Sequence, residues 1–459
     1  MAARALQAVA LLICLLVAGC TAPTASPAAE AIGGTDPIAE SGQAPGVSTT
    51  ATPTHTSAPP SEAEPGQETE TATATPRPDE TDTAEPSPEQ LAAGYDIEVV
   101  DGDLPVDYSL VFARVAVTVD RPTVAPPRSV VIRPPDRMRV GRQQYPEFYR
   151  LVGVTAPEGQ PTATTAAAYV ASPETVTVNE AVLNDSAEAE STLAHESVHV
   201  VQFRDGTFQR LRGSAAAPAG STEARLLHAG VVEGSATYVQ REYVRRYRPD
   251  APDPVVSLAA ASRSGSTATG LGIAPYVVGA RYVDERVDDP RDLDTVYANP
   301  PRTTEELLHG LPPGSEPLAT LVVTDDPNDR WRADLGSRDT HGELFLRVVM
   351  ESGLNESAAA TAADGWGNDV RLGFTRAGDA SGTTGYVWVV RFDDEANATE
   401  FQSAFAEWRD ERASDAAPVR LVRVSPETVA VLVGAESFVE DARPTGTDGV
   451  VSVRVDAGE

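Results

Sequence analysis

The stretch Ser186–Phe203, SAEAESTLAHESVHVVQF, has the pattern of one long helix. Apolar side chains recur along one side of it at helical spacing: Leu193, Ala194, Val198 and Val201. Asp185 precedes the first turn and Glu188 follows three residues later, which is the arrangement of a capping box. The sequence therefore predicts a helix that begins at Ser186 and ends near Phe203.

This helix carries the motif His195-Glu196-Ser197-Val198-His199. Histidines four residues apart share one helix face, so both imidazoles can reach a single ion, and Glu196 projects beside them. Zinc accepts imidazole ligands, and a nearby carboxylate can take the proton of a zinc-bound water. The alternative is a solvated His/Glu pair. The chain has only six histidines, so a chance match is rare and the motif predicts a metal site.

Three residues are candidates for a third ligand: Asp205, His228 and Glu233. Asp205 has the metzincin spacing, but Gln202 stands where that pattern needs a turn-forming glycine. His228 has suitable chemistry and no supporting motif. Glu233 lies in a second predicted helix that runs to about Tyr247.

Small residues follow Glu233 directly, namely Gly234, Ser235 and Ala236. They would let the second helix approach the first closely, as two facing helices must if they share one ion. A solvent-facing carboxylate is the other role open to Glu233. The sequence favours Glu233 as the third ligand.

The HExxH motif followed by a glutamate on a second helix resembles the gluzincin metallopeptidases, the thermolysin-like group. The resemblance covers about Thr175–Tyr247. It implies Zn²⁺ held by His195, His199 and Glu233, with Glu196 as general base and a peptide or protein as substrate.

The resemblance implies two further features around the metal. The predicted strand Thr175–Asn179 would be the edge that binds an extended peptide as an added strand. Gluzincins orient the first histidine with an aspartate four residues after the glutamate ligand, and this chain has Thr237 there. The motif therefore does not identify which neighbouring side chains orient the histidine ligands.

An oxyanion donor is also expected, and Tyr276 is the candidate catalytic residue for this role. Tyr282 and His228 are alternatives, and packing in the core is the other role for the tyrosines. The run 275–283 predicts a helix behind the site, and 297–309 predicts a turn followed by a short helix. The second run, from Tyr297 to His309, is similar to stretches in uncharacterised haloarchaeal surface lipoproteins.

The pattern of elements predicts an α+β fold in two domains. Residues 95–310 would form a metallopeptidase-like domain with an active-site helix pair and a small mixed sheet, including strands at Val115–Val119 and Ser129–Ile132. Residues 318–459 would form a smaller α+β domain with a loop at Gly365–Asp369. Trp366 is expected to be a packing anchor, with a binding loop as the alternative.

The sequence of the first 94 residues predicts a lipoprotein signal peptide followed by a disordered stalk. Residues 1–20 have a short apolar run and end in Val17-Ala18-Gly19-Cys20, which resembles a lipobox with lipidation at Cys20. Residues 21–94 are a Thr/Pro/Glu-rich stalk that is expected to be disordered. These features predict a chain anchored by lipid to the extracellular face of the membrane.

The charge balance excludes a nucleic-acid partner. The chain has 68 acidic and 36 basic residues, a formal net charge of −32, and no lysine. Such a surface cannot replace the counterions of a polyphosphate. The acidic excess is typical of a halophilic protein, and we expect a salt-loving archaeon as its source.

Two hypotheses follow. The first is a cell-surface zinc metallopeptidase that hydrolyses peptide bonds in extracellular protein. The second is a non-catalytic surface lipoprotein that uses a peptidase-like fold as a binding or structural module. A solute-binding lipoprotein is disfavoured because the sequence shows no two matching halves.

Overall fold

A computed structural model describes residues 86–140, 145–156, 164–326, 330–378, 382 and 384–456. The predicted signal peptide, the lipobox with Cys20 and most of the stalk lie outside these residues. Within them, the fold is a mixture of helices and several small sheets, which confirms the predicted α+β class.

The part of the chain up to residue 310 is mostly helical. Its helices are α1 Pro88–Ala92, α2 Tyr108–Thr118, α3 Glu147–Leu151, α4 Ser186–Arg204, α5 Thr207–Arg210, α6 Thr222–Tyr247, α7 Pro254–Ser264, α8 Thr267–Asp284, α9 Leu293–Ala298 and α10 Thr304–Leu308. Its strands are β1 Glu98–Val100, β2 Ser129–Arg133, β3 Arg139–Val140, β4 Thr164–Thr165, β5 Ala168–Ser172 and β6 Thr175–Asn179.

The part after residue 318 is richer in strands. Its helices are α11 Glu343–Glu351, α12 Glu356–Ala363, α13 Glu395–Asp410 and α14 Glu436–Asp441. Its strands are β7 Val322–Asp326, β8 Trp331–Asp339, β9 Trp366–Arg376, β10 Thr384–Phe392, β11 Val419–Arg423, β12 Thr428–Gly434, β13 Ala442–Gly446 and β14 Val450–Val455.

Helix α4 begins and ends within one residue of the predicted bounds. The Asp185 side chain accepts hydrogen bonds from the backbone nitrogens of Ala187 at 2.8 Å and Glu188 at 3.3 Å. These bonds satisfy two of the free N–H groups at the helix start. The helix is buried along most of its length, so its polar motif lies inside the protein.

A four-stranded sheet in the order β1-β2-β6-β5 supports α4. Strands β1, β2 and β6 are parallel, and β5 is antiparallel to β6. The apolar residues of β2, β5 and β6 and those of helices α2, α4, α6 and α8 form one core cluster. The sheet and these helices thereby fix the position of α4.

Two predictions for the first part are wrong. Val115–Val119 was predicted as a strand, but these residues end helix α2, which Asp107 caps by accepting from the Leu110 nitrogen at 3.2 Å. Packing of α2 in the core overrides the strand preference of its valines. Folded structure also begins before Tyr95, because Ser87 and Gln90 form a capping box around the short helix α1.

The second part is built on an antiparallel sheet in the order β11-β12-β10-β9-β8. Along β10, Trp388, Val390 and Phe392 pack against helices α11–α13, whereas Val387 and Val389 pack against a smaller sheet formed by β13, β14 and β7. Successive side chains of a strand point to opposite faces of the sheet, so this alternation shows that β10 is buried on both faces.

The predicted loop at Gly365–Asp369 is instead the start of strand β9. Trp366 is fully buried, as expected of a packing anchor, and its indole nitrogen donates to Asp369 at 3.1 Å. Asp369 also accepts from the Trp388 indole at 2.8 Å and from the backbone nitrogen of Gly342 at 2.9 Å. These bonds hold the segment in the sheet.

One core cluster crosses the predicted domain boundary. Phe148, Tyr149 and Leu226 from the first part pack in the same cluster as Phe345 and Trp388 from the second. The described residues from 86 to 456 accordingly group in one compact unit. In the described part of the chain, no helix has the length and apolar character needed to cross a membrane.

Candidate metal centre

Three buried side chains from two helices converge at one point. His195 and His199 extend from α4, and Glu233 extends from the middle of α6. The Glu233 Oε2 atom lies 3.3 Å from His195 Nε2 and 3.2 Å from His199 Nε2, and the two Nε2 atoms are 3.1 Å apart. Of the three candidates for the third position, the structure therefore brings Glu233 to the histidines.

This triangle of atoms has the size of one face of a zinc coordination tetrahedron. With bonds of about 2.0–2.1 Å, neighbouring tetrahedral ligands are about 3.3 Å apart. The three edges of 3.1–3.3 Å match that spacing. Three protein ligands leave the fourth corner for water or substrate, which is the arrangement of catalytic rather than structural zinc sites.

Glu196 lies next to the first histidine in the same turn of α4 and is 3% exposed. Its Oε2 atom is buried and has no hydrogen-bond partner among the residues that the structure describes, and the same is true of Glu233 Oε1. Buried carboxylate oxygens normally have a donor or a cation. A metal ion with a bound water at the fourth corner would supply what these atoms lack, so the residues present fit the ion.

Each histidine is oriented by a glutamine. His195 Nδ1 lies 3.2 Å from Gln240 Oε1, and His199 Nδ1 lies 2.7 Å from Gln202 Oε1. A hydrogen bond from Nδ1–H to an amide oxygen places the free lone pair on Nε2, which faces the metal position. Gln240, one turn beyond Thr237, thus provides the support for His195 that the sequence motif left open.

Both glutamines are themselves held by hydrogen bonds. Gln202 Nε2 donates to the Val232 carbonyl at 3.0 Å and to the Tyr297 hydroxyl at 3.1 Å. Gln240 Nε2 donates to Ser191 Oγ at 2.9 Å. Sequence reasoning missed these residues; the signal for Gln202 was its place three residues after His199, on the same helix face.

The buried charges of the histidines and glutamates in this group shift one another's pKa values. Burial alone would raise the pKa of Glu233, but the two histidines outweigh it and lower that pKa to about 2. Burial would lower the pKa of His199, but the Glu233 carboxylate raises it to about 9. Burial raises the pKa of Glu196 to about 8 and lowers that of His195. A proton on His199 therefore balances Glu233 where a cation would otherwise do so.

Gly234, the first of the small residues after Glu233, faces a different helix from the one predicted. A Cβ atom on Gly234 would overlap the backbone of Gly279 in α8, and one on Gly279 would overlap that of Gly230. The glycines thus let α6 pack closely on α8, while Glu233 and Gln240 lie on the side of α6 that faces α4. The prediction that Gly234 faces the first helix is wrong because neighbouring residues point about 100° apart around a helix.

The other candidate ligands are engaged elsewhere. Asp205 follows the last turn of α4 and pairs with Arg121, with its Oδ2 atom 2.7 Å from Arg121 Nε. The His228 ring packs near Phe208, with ring centroids 6.3 Å apart. Neither belongs to the group of three converging ligands.

Tyr276, in α8, lies against the first histidine. Its ring stacks on His195 with centroids 6.1 Å apart and an angle of 24° between the planes, and the residue is 3% exposed. The alternative Tyr282 instead lies under the Arg286 guanidinium, 3.8 Å from its ring centroid. Of the two tyrosines, it is therefore Tyr276, the predicted candidate for the oxyanion donor, that lies beside His195.

Strand β6 is not a sheet edge. It pairs with β2 through Thr175–Asn179 on one side and with β5 on the other. The prediction that it binds substrate as an edge strand is therefore wrong, because both of its hydrogen-bonding sides are occupied. The edge strand on this side of the sheet is β5.

Comparison with known proteins gives one match. The family model described as a domain of unknown function (DUF8575) matches residues 332–446, which lie in the second part of the chain and include its five-stranded sheet. No curated protein and no solved structure matches the chain. The metal centre lies outside the matched residues.

Proposed function

We propose that the protein is a zinc-dependent metallopeptidase that hydrolyses peptide bonds in extracellular protein. The observation that carries the proposal is the triangle of His195 Nε2, His199 Nε2 and Glu233 Oε2 with edges of 3.1–3.3 Å. Glu196 follows His195 in the same helix, and within the described part of the chain its buried Oε2 atom has no hydrogen-bond partner.

Zinc, when bound, would polarise the scissile carbonyl and make the attacking water more acidic. His195, His199 and Glu233 would hold the ion, and Gln240 and Gln202 would keep the histidines in the ligating tautomer. Glu196 would take the proton from the attacking water and return it to the leaving amine. The edge of β5 would hold the extended peptide as an added strand.

Replacing the general base separates catalysis from metal binding. In the full chain, Glu196→Gln is expected to keep one zinc while cleavage of a broad peptide library falls by about 10²–10⁴-fold. Glu188→Gln, on the first turn of the same helix, should change neither quantity. Wild-type protein that binds zinc and cleaves no peptide would contradict the proposal.

One observation favours a second function, that of a non-catalytic surface module. The three ligand side chains are 0–2% exposed, and side chains so deeply buried leave an extended peptide little access to the ion that they would hold. The count of three ligands argues for the peptidase instead. The peptide library distinguishes the two functions. A structural module would leave the library uncut both as wild type and as Glu196→Gln, and it would need its zinc only for stability.

We also propose that the chain is anchored by lipid at Cys20 on the extracellular face of the membrane. The sequence Val17-Ala18-Gly19-Cys20 supports this location. The chain offers a matched control, because its other cysteine is Cys14. Cys20→Ser should release the protein from the membrane fraction and Cys14→Ser should not; retention of the Cys20 variant would contradict the anchor.

A further inference from the structure

A second group of acidic side chains lies where the two parts of the chain meet. Glu305 belongs to α10, Glu316 to the segment between the two parts, and Asp393 follows β10. One carboxylate oxygen from each lies within 4.8 Å of the others. Three carboxylates from distant positions in the sequence therefore share one small volume.

Glu305 is 6% exposed, yet its carboxyl group has no partner. Among the residues that the structure describes, none donates a hydrogen bond to it and none forms an ion pair with it. Burial, together with the charges of Glu343, Asp393 and Glu316, raises its pKa to about 9. A carboxyl group with little access to solvent and several negative neighbours is stabilised in its ionised form by a cation.

Neighbouring bonds hold the ligands in place. Glu306 accepts hydrogen bonds from the backbone nitrogens of Gly314 at 2.7 Å and Glu316 at 3.2 Å, which shapes the turn that carries Glu316. The backbone nitrogen of Asp393 donates to the Gly365 carbonyl at 2.8 Å. The backbone around Glu316 and Asp393 is thus ordered; of the three side chains, Glu305 is buried, Glu316 is half-buried and Asp393 is exposed.

We propose that Glu305, Glu316 and Asp393 form a Ca²⁺ site that joins the first part of the chain to the second. All three ligands are carboxylates, which hard cations prefer, and the set contains none of the nitrogen or sulfur ligands that zinc favours. Calcium accepts irregular arrangements of oxygen ligands with bonds of about 2.3–2.6 Å, whereas Mg²⁺ demands near-ideal octahedral geometry, which three carboxylates from separate segments are less suited to supply. Water fills the remaining positions.

The adjacent group of His309, Glu343 and Asp364 has a different character. His309 Nε2 lies 2.8 Å from Glu343 Oε1, so the imidazole already serves as the partner of that carboxylate. We assign no ion to this group. Its negative charge adds to the field that attracts a cation to Glu305, as the effect of Glu343 on the Glu305 pKa indicates.

The test is thermal unfolding of the full chain, loaded with zinc and freed of calcium, with CaCl₂ added at constant ionic strength. Saturating Ca²⁺ should raise the unfolding midpoint by about 5 °C. In Glu305→Gln and Asp393→Asn the shift should disappear. The exposed residue Glu407 provides the control, and Glu407→Gln should keep the full shift.

A difference that depends on calcium separates a cation site from a merely structural role. Without Ca²⁺, Glu305→Gln should unfold at no lower a temperature than wild type, because the pKa of about 9 leaves the Glu305 carboxyl protonated at neutral pH and the amide replaces a neutral group; with Ca²⁺ it should unfold at a lower temperature. A variant that is destabilised equally in both conditions would overturn the proposal. So would an unchanged calcium shift in the variants, or loss of that shift in His195→Ala.

Discussion

Each histidine of the metal centre depends on the amide oxygen of a glutamine. The pairing of the candidate ligands His195 and His199 follows from the sequence, since i and i+4 spacing fixes their relative position on a helix. Their partners do not follow as directly, because Gln240 comes from another helix and its register against α4 depends on tertiary packing. The motif thus predicts the ligands but not the groups that orient them.

Gln240→Leu should weaken zinc binding by about 10–100-fold, because the Nδ1–H of His195 would lose its acceptor and the ring its fixed tautomer. The measurement is competition for zinc with a chelator of known affinity. Gln402→Leu, at an exposed position of α13, is the control. Equal zinc affinity in both variants would show that Gln240 has no orienting role.

Tyr276→Phe should lower kcat for peptide cleavage by about 10²-fold while zinc content stays the same, as expected for loss of one oxyanion donor. Tyr282→Phe, on the same helix, should leave kcat unchanged. If the Tyr276 variant keeps its full kcat, the residue only packs against His195.

Contact between helices α6 and α8 sets where Glu233 lies relative to α4. Gly230 and Gly234 on α6 meet Gly279 on α8, so the two backbones come into direct contact. The sequence shows the small residues and predicts the helix that carries them. It does not show whether they face α4 or α8, because a short run of small residues allows close packing against either helix.

Gly234→Ala should destabilise the protein by about 1–3 kcal/mol and weaken zinc binding, because its methyl group would push α6 away from α8. Gly270→Ala, in α8, meets only Ser262 Oγ at 3.6 Å and should stabilise the helix by about 0.5–1 kcal/mol. The measurement is the free energy of unfolding in denaturant. A neutral Gly234 variant would argue against close packing at this crossing.

The whole molecule is joined by a core that the local sequence pattern does not reveal. The strands and helices after residue 318 were largely predictable from alternation and caps, as in β10, β12 and α13. The Pro- and Gly-rich segment before them suggested a boundary. Phe148 and Leu226 nevertheless pack with Trp388, and contacts between residues so far apart in sequence leave no periodic signal.

Zinc binding should therefore stabilise the second part of the chain as well as the first. All four tryptophans lie between positions 331 and 408, so their fluorescence reports on the second part alone. Added zinc should raise the unfolding midpoint seen by tryptophan fluorescence as much as that seen by far-UV circular dichroism. If added zinc does not change the unfolding midpoint measured by tryptophan fluorescence, the two parts unfold as independent domains.

The most direct test of the metal centre is the zinc content of the purified full chain after dialysis against a weak chelator. Wild-type protein should retain one zinc per chain, whereas His199→Ala and Glu233→Ala should retain almost none. Zinc-free wild type, or a Glu233→Ala variant that keeps its zinc, would contradict the assignment of His195, His199 and Glu233 as ligands of a single ion.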